Sequence, residues 1–294
     1  MGWRDMWQRR VEHWRFRYLP GFVDFLVVAS TREAKKRLSQ TKLGVLVDNS
    51  LLGHSITHET GWISTGAKKW GGIDIETGYA ARVCVHEPDD ASEVYRNTTF
   101  MPGIASLAKR GLLDCCTSAE LEQERFRQPT GRFQGYGWLD HGLFRDIRMR
   151  SVDGHAPLSM GPGWMKLPNS KEQQQQRLAQ SDDPLYAALL QKLGQKNNLD
   201  AWHICTAERH GLFCFLTMDF KLKRLVAANA GKEPFASLRT RVMTPEDLGD
   251  FLRIRPIAPK FFSYHGASWP VRPDLHWPTN TRRPKSSYRR PGKE

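Results

Sequence analysis

Residues 200–222 read DAWHICTAERHGLFCFLTMDFKL, and the punctuation of this stretch decides the fold. Asp200 opens a helix of small and apolar residues that closes at Gly211. The run LFCFL (212–216) is then a short apolar strand bounded by Thr217 and Asp219. A nearly continuous apolar run of this length suits a strand buried on both faces of a parallel sheet. Upstream, Leu185, Leu189, Leu190 and Leu193 have helical spacing and end at Gly194. Downstream of Phe220 to Val226, a strand at Arg241 to Met243 leads into TPEDLGDFL, a helix capped by Thr244 with Pro245 at its first position. Glu246 and Asp247 fall in its first turn, where the helix dipole favours acids.

Toward the N-terminus, KLGVLV (42–47) is a strand of the same type, ending at Asp48. Ile104 to Arg110 is helical, Leu112 to Cys116 is a third strand, and Thr117 or Ser118 caps a helix through AELEQERF. Repeated strand–helix alternation predicts an α/β fold: a three-layer α/β/α sandwich with a mainly parallel central sheet. Residues 53–103, rich in Gly, His and Thr, are expected to be an insertion with one strand at Ala81 to His86. Residues 128–180 are expected to be loops with one surface helix in KEQQQQRLAQ.

With 294 residues, 39% hydrophobic and 26% charged, the chain can build one large domain or two small ones. Its net charge of +13 is unevenly spread. Residues 1–40 carry 9 Lys/Arg against 4 Asp/Glu, residues 41–250 carry 25 against 25, and residues 251–294 carry 10 against 2. The expected organisation is therefore a basic, aromatic, helical N-terminal extension (1–40), an α/β body (41–250) and a basic tail (251–294) that holds 7 of the 17 prolines. Trp3, Trp7, Trp14, Phe16 and Tyr18 stand among arginines with amphipathic helical spacing. Packing on the body is the expected outcome, with RNA or partner binding as the other reading. The tail is either an arm for phosphates and bases or a solubilising segment.

The apolar stretch Phe22 to Ala29 is broken by Asp24 and is far shorter than the roughly 20 residues that span a bilayer. No membrane partner and no secretory signal are expected, and the expected compartment is the cytoplasm. Five cysteines, Cys84, Cys115, Cys116, Cys205 and Cys214, contain no CxxC pair and suit a reducing environment.

In open α/β sheets ligands bind at the carboxyl ends of the strands, so acids that end apolar strands point into the expected site. Asp48 and Asp219 are such residues; Asp200 opens the helix leading to the latter strand, and Glu124 lies in the helix after Cys116. Four converging carboxylates repel one another, and a bound Mg²⁺ or Mn²⁺ relieves that repulsion. Each acid also has an ordinary reading: Asp200 as a helix cap, Asp219 as a turn residue, and Glu120, Glu122 and Glu124 as a solvated helix.

The segment from Asp200 resembles the C-terminal motif of PIN-domain nucleases, in which an Asp opens a helix that is followed by a Gly-bounded strand and Thr-x-Asp. LGVLVDNSLL resembles the family's first strand with its Asp, here Asp48. GLLDCCTSAELEQE resembles the second strand and the helix bearing the family Glu, here Glu124 with Glu120 as substitute, and RVMTPEDL resembles the last strand and its Pro-led helix. The resemblance spans residues 41–250 discontinuously. The 75 residues between Asp48 and Glu124 exceed those of compact VapC-type toxins.

The resemblance implies hydrolysis of RNA phosphodiesters by water activated at one or two Mg²⁺ or Mn²⁺ ions. Asp48, Asp200 and Asp219 would be ligands, and Glu124 a ligand or water-orienting base. Thr217, two residues before Asp219, either bonds a ligand or phosphate or simply packs in the strand. A homodimer accords with the fold by analogy. Two alternatives stand beside the nuclease: a non-catalytic RNA-binding or partner-binding protein on a PIN-like fold, and a toxin paired with an antitoxin.

Other chemistries find less support. His54-x-x-x-His58 has a spacing that zinc sites use but is not HExxH, Asp48-Asn49-Ser50 lacks the second Asp of haloacid-dehalogenase phosphatases, and no GxxxxGK[ST] loop occurs. Cys115 and Cys116 read as core residues.

Overall fold

The computed structural model describes residues 3–39, 42–86, 91–127 and 141–264. The elements run in chain order: α1 (Trp3–Ser30), α2 (Arg32–Leu38), β1 (Leu43–Val47), α3 (Asn49–His54), β2 (Ile56–Trp70), β3 (Ile73–Cys84), α4 (Glu93–Lys109), β4 (Leu113–Thr117) and α5 (Ala119–Arg127). They continue with β5 (His141–Gly142), β6 (Arg150–Ser151), α6 (Ser170–Ala179), α7 (Pro184–Leu193), α8 (Asn198–Arg209), β7 (Cys214–Leu216), α9 (Phe220–Ala228), β8 (Arg241–Met243) and α10 (Pro245–Leu252).

Five parallel strands form the central sheet in the order β6-β4-β1-β7-β8. β1 sits in the middle because its sequence LGVLV is apolar at successive positions and can be buried on both faces. The pleat sends Val45 and Val47 to one face and Leu46 to the other. On the first face they meet the core of α1, α2, α4 and α10, including Val23, Leu38, Met101 and Leu248. Leu46 joins Cys116 and Phe215 against Leu121, Leu189, Ile204 and Leu222 of α5, α7, α8 and α9. The result is the predicted α/β/α arrangement with a parallel sheet.

Cys115, Cys116, Cys205 and Cys214 are free and buried in these cores. Burial pushes the Cys115 and Cys205 thiols up to about 12, so neither is a nucleophile at neutral pH.

Three elements differ from expectation. The strand expected at 81–86 is the end of β3, which pairs with the unanticipated β2 in a long antiparallel hairpin. Gly71 and Gly72, both at positive φ, form its two-residue turn. The helix expected from Ile104 starts at Glu93, where Ser92 Oγ accepts from Tyr95 N at 3.1 Å. α8 opens at Asn198, which puts Asp200 in its first turn rather than at its cap. His54 ends α3 while His58 lies in β2, so the two share no helix face.

The basic N-terminal extension is helical, and among its described side chains the buried ones, Val23 and Val27 among them, lie in the C-terminal half. Of the tail, residues 265–294 lie outside the described residues, as do 128–140 of the region expected to be loops.

Candidate functional site

Strands β1 and β7 are parallel neighbours, so Asp48 and the Thr217–Asp219 segment leave the sheet side by side at its carboxyl edge. The ladder continues one step beyond the strands, with Asp48 N donating to Leu216 O at 3.0 Å. Strand order also changes direction at β1: the chain proceeds to β4 on one side and later reaches β7 on the other, a topology that leaves a crevice at this edge.

A hydroxyl pair locks the first carboxylate. Thr217 Oγ1 donates to Asp48 Oδ2 at 2.7 Å, and Ser50 Oγ donates to the same oxygen. Ser50 Oγ in turn accepts from Met218 N at 3.0 Å, and Thr217 Oγ1 accepts from Asp219 N at 3.0 Å. Thr217 is fully buried, so its hydroxyl serves Asp48 rather than facing solvent. Asp219 caps α9, with Oδ1 accepting from Lys221 N (2.8 Å) and Leu222 N (3.0 Å). Among the described residues its Oδ2 takes no hydrogen bond.

Glu124 projects from α5 toward α8, where His203 Nε2 lies 3.1 Å from its Oε1. Asn49 Nδ2 is 3.4 Å from its Oε2 and also donates to Leu121 O at 2.8 Å, fastening α3 to α5. Glu120 is turned elsewhere: Arg177 holds it with a two-pronged contact, Nε to Oε1 at 2.9 Å and Nη2 to Oε2 at 2.8 Å. Of the two glutamates weighed from the sequence, Glu124 shares the site's surroundings and Glu120 does not.

Asp200, part-buried in the first turn of α8, takes no hydrogen bond from any described residue. Burial pushes its carboxyl up to about 6; the charge of His203 works against that rise, and those of Asp48, Asp219 and Glu124 add to it. The other three acids thus lie within electrostatic reach of Asp200. Burial alone would raise Glu124, but the hydrogen bond and charge of His203, with the Asn49 amide, bring it below the usual carboxylate range. For His203, burial is outweighed by the hydrogen bond to Glu124 and the charges of Glu124, Asp48 and Asp200, which raise it.

Electrostatic reach is not coordination distance. Among the described residues no three His, Cys, Asp or Glu side chains stand close enough to hold one ion as they are placed. The donor chemistry fits a hard divalent cation all the same, since carboxylate oxygens are what such ions take. Asp200 in particular is a carboxylate that takes no hydrogen bond from any described residue.

Ser50, Asn49 and His203 were not among the residues singled out from the sequence. His203 is 2% exposed, follows Asp200 by one helical turn, and leaves Nδ1 buried without a partner among the described residues. A histidine set among apolar residues three positions after a candidate ligand is the signal that would have found it. No family model, curated protein or solved structure matches this chain.

Proposed function

We propose that the chain is a metal-dependent endoribonuclease of PIN-like type, acting on RNA at the crevice between β1 and β7. One observation carries this reading: Asp200, part-buried and taking no hydrogen bond from any described residue, feels the charges of Asp48, Asp219 and Glu124. A fold that only needed stability would not gather three carboxylates around a fourth that is part-buried. Asp48, Asp200, Asp219 and Glu124 would hold Mg²⁺ or Mn²⁺, which when bound lowers the pKa of water and neutralises charge on the phosphate.

The chain's own residues contribute orientation. Ser50 and Thr217 hold Asp48 by Oδ2 and leave Oδ1 for the site. The N-terminus of α9 holds Asp219 by Oδ1. His203 and Asn49 fix the rotamer of Glu124 and favour its ionised form, the form able to accept a proton or orient a water.

A second reading, an RNA-binding or partner-binding protein that keeps the fold without turnover, is favoured by the acids not closing on one ion. Cleavage of labelled RNA and single-stranded DNA by the purified protein, with Mg²⁺, Mn²⁺ or EDTA, separates the two. Metal-dependent cutting of RNA, lost in Asp48→Asn and Asp219→Asn, is expected. RNA binding without cutting in any divalent ion would select the second reading. Asn is the informative replacement at 219 because it caps a helix as well as Asp does, whereas Ala also loses about 1 kcal/mol of cap.

A further inference from the structure

Helix α1 has two faces. Val23 and Val27 are buried against the body, with Leu19 and Leu26 packed beside them. Trp7, Trp14, Tyr18 and Phe25 are spaced 7, 4 and 7 residues apart, close to whole helical turns, and so line one face about half a turn away from Val23 and Val27. Trp3 and Phe22 flank this line, and all six rings are more than half exposed. From Trp3 to Phe25 the band runs about 33 Å along the axis. Trp14 and Tyr18 lean on one another with centroids 5.5 Å apart, and the Arg17 guanidinium lies 5.5 Å from the Tyr18 ring centre. Arg10 and Arg17 are exposed along one margin; Asp24, about two helical turns beyond Arg17 and also exposed, lines a cavity of about 730 Å³ with Lys109 and Arg110.

We propose that this face is a peripheral anchor that lies along the surface of an anionic phospholipid bilayer. Trp and Tyr rings favour the boundary between acyl chains and headgroups, and arginines beside them reach lipid phosphates while their stems stay in the apolar layer. No helix among the described residues is long and apolar enough to cross a membrane, so the contact is with one leaflet. The expectation of no membrane partner, drawn from the lack of a spanning segment, does not bear on this mode.

Charge selects the occupant. A second copy would bring together two segments that each carry 9 Lys/Arg against 4 Asp/Glu over residues 1–40. RNA would satisfy the charge but offers no continuous apolar surface for six rings, two of which already lean on each other. A bilayer containing phosphatidylserine supplies both the apolar layer and the negative charge.

The test is flotation of the full chain with vesicles of phosphatidylcholine alone or mixed with phosphatidylserine. Binding to the mixed vesicles is expected, weakened about ten-fold or more in Trp7→Ala/Trp14→Ala/Tyr18→Ala and weakened also in Arg10→Gln/Arg17→Gln and at high salt. The replaced side chains are exposed, so thermal midpoints of both variants are expected to match the parent. The arginine variant tests the charge requirement with all six rings kept. Absence of flotation, or flotation unchanged by the aromatic replacements, would overturn the proposal. A protein that never floats but loses RNA affinity or dissociates from dimer to monomer in the aromatic variant would do so as well, assigning the face to RNA or to a second copy. None of these readouts depends on nuclease activity.

Discussion

Asp200 is the residue on which the site's charge balance turns. Its ionised form is opposed by burial and by three neighbouring carboxylates. Asp200→Asn removes one of the four charges without changing volume. In EDTA at neutral pH the variant should be more stable than the parent by about 1–2 kcal/mol, measured by urea denaturation, while metal-dependent cleavage is abolished. A variant less stable than the parent would show that the acids do not strain the fold. The acids could be proposed from sequence because Asp48 and Asp219 end apolar strands, Glu124 lies in the helix after one and Asp200 in the first turn of a helix leading into one, positions that an alternating topology sends to one edge. Their partners could not. Ser50 and Thr217 meet across 167 positions, and Glu124 finds His203 across 79. Nothing local in LGVLVDNSLL announces that a serine will share an oxygen with a distant threonine.

Elements were legible where local chemistry is decisive. TPEDLGDFL declares its cap, and α10 indeed carries a capping box in which Thr244 Oγ1 accepts from Asp247 N while Asp247 accepts from Thr244 N. The β2–β3 hairpin escaped because its register depends on a partner strand, although Gly71-Gly72 between two runs was the available turn signal. How closely α10 approaches α4 was also illegible. A Cβ added at Gly249 would collide with the buried Phe100 ring. Gly249→Ala should therefore destabilise by about 1–3 kcal/mol despite its better helix propensity, a sign that denaturant unfolding can read directly. Between α8 and β8, Glu208 accepts from Thr240 N at 2.7 Å and Arg239 N at 3.0 Å. Burial alone would raise its carboxyl; these N–H groups and the Arg239 side chain hold it below the usual range. An acid depressed in the folded state stabilises above its unfolded pKa and loses that contribution as pH falls through its folded value. Glu208→Gln should cost about 1 kcal/mol at pH 7, and the difference should close as pH drops below about 4.

At the scale of the whole molecule, the central sheet and the hairpin are separable. The hairpin touches the rest through its base, at α3, β5 and the turn at residues 259–264. Replacing residues 65–77 by Asn-Gly, so that Ser64 meets Gly78 directly, should change stability by less than about 0.5 kcal/mol in thermal or urea unfolding. A larger loss would mean that the arm is part of the core. The sheet has the opposite character, because nothing in it is local. Leu46 lies between Cys116 and Phe215, and the Asp48 carboxylate waits for a hydroxyl 169 positions further on. A chain made from its N-terminus exposes Asp48 early and Asp219 late. Until synthesis has passed residue 219, the hydroxyl that holds Asp48 and the last acid of the cluster do not exist. Whatever activity this edge houses, the proposed one included, is thus timed by translation, because the edge cannot be assembled before residue 219 has been made.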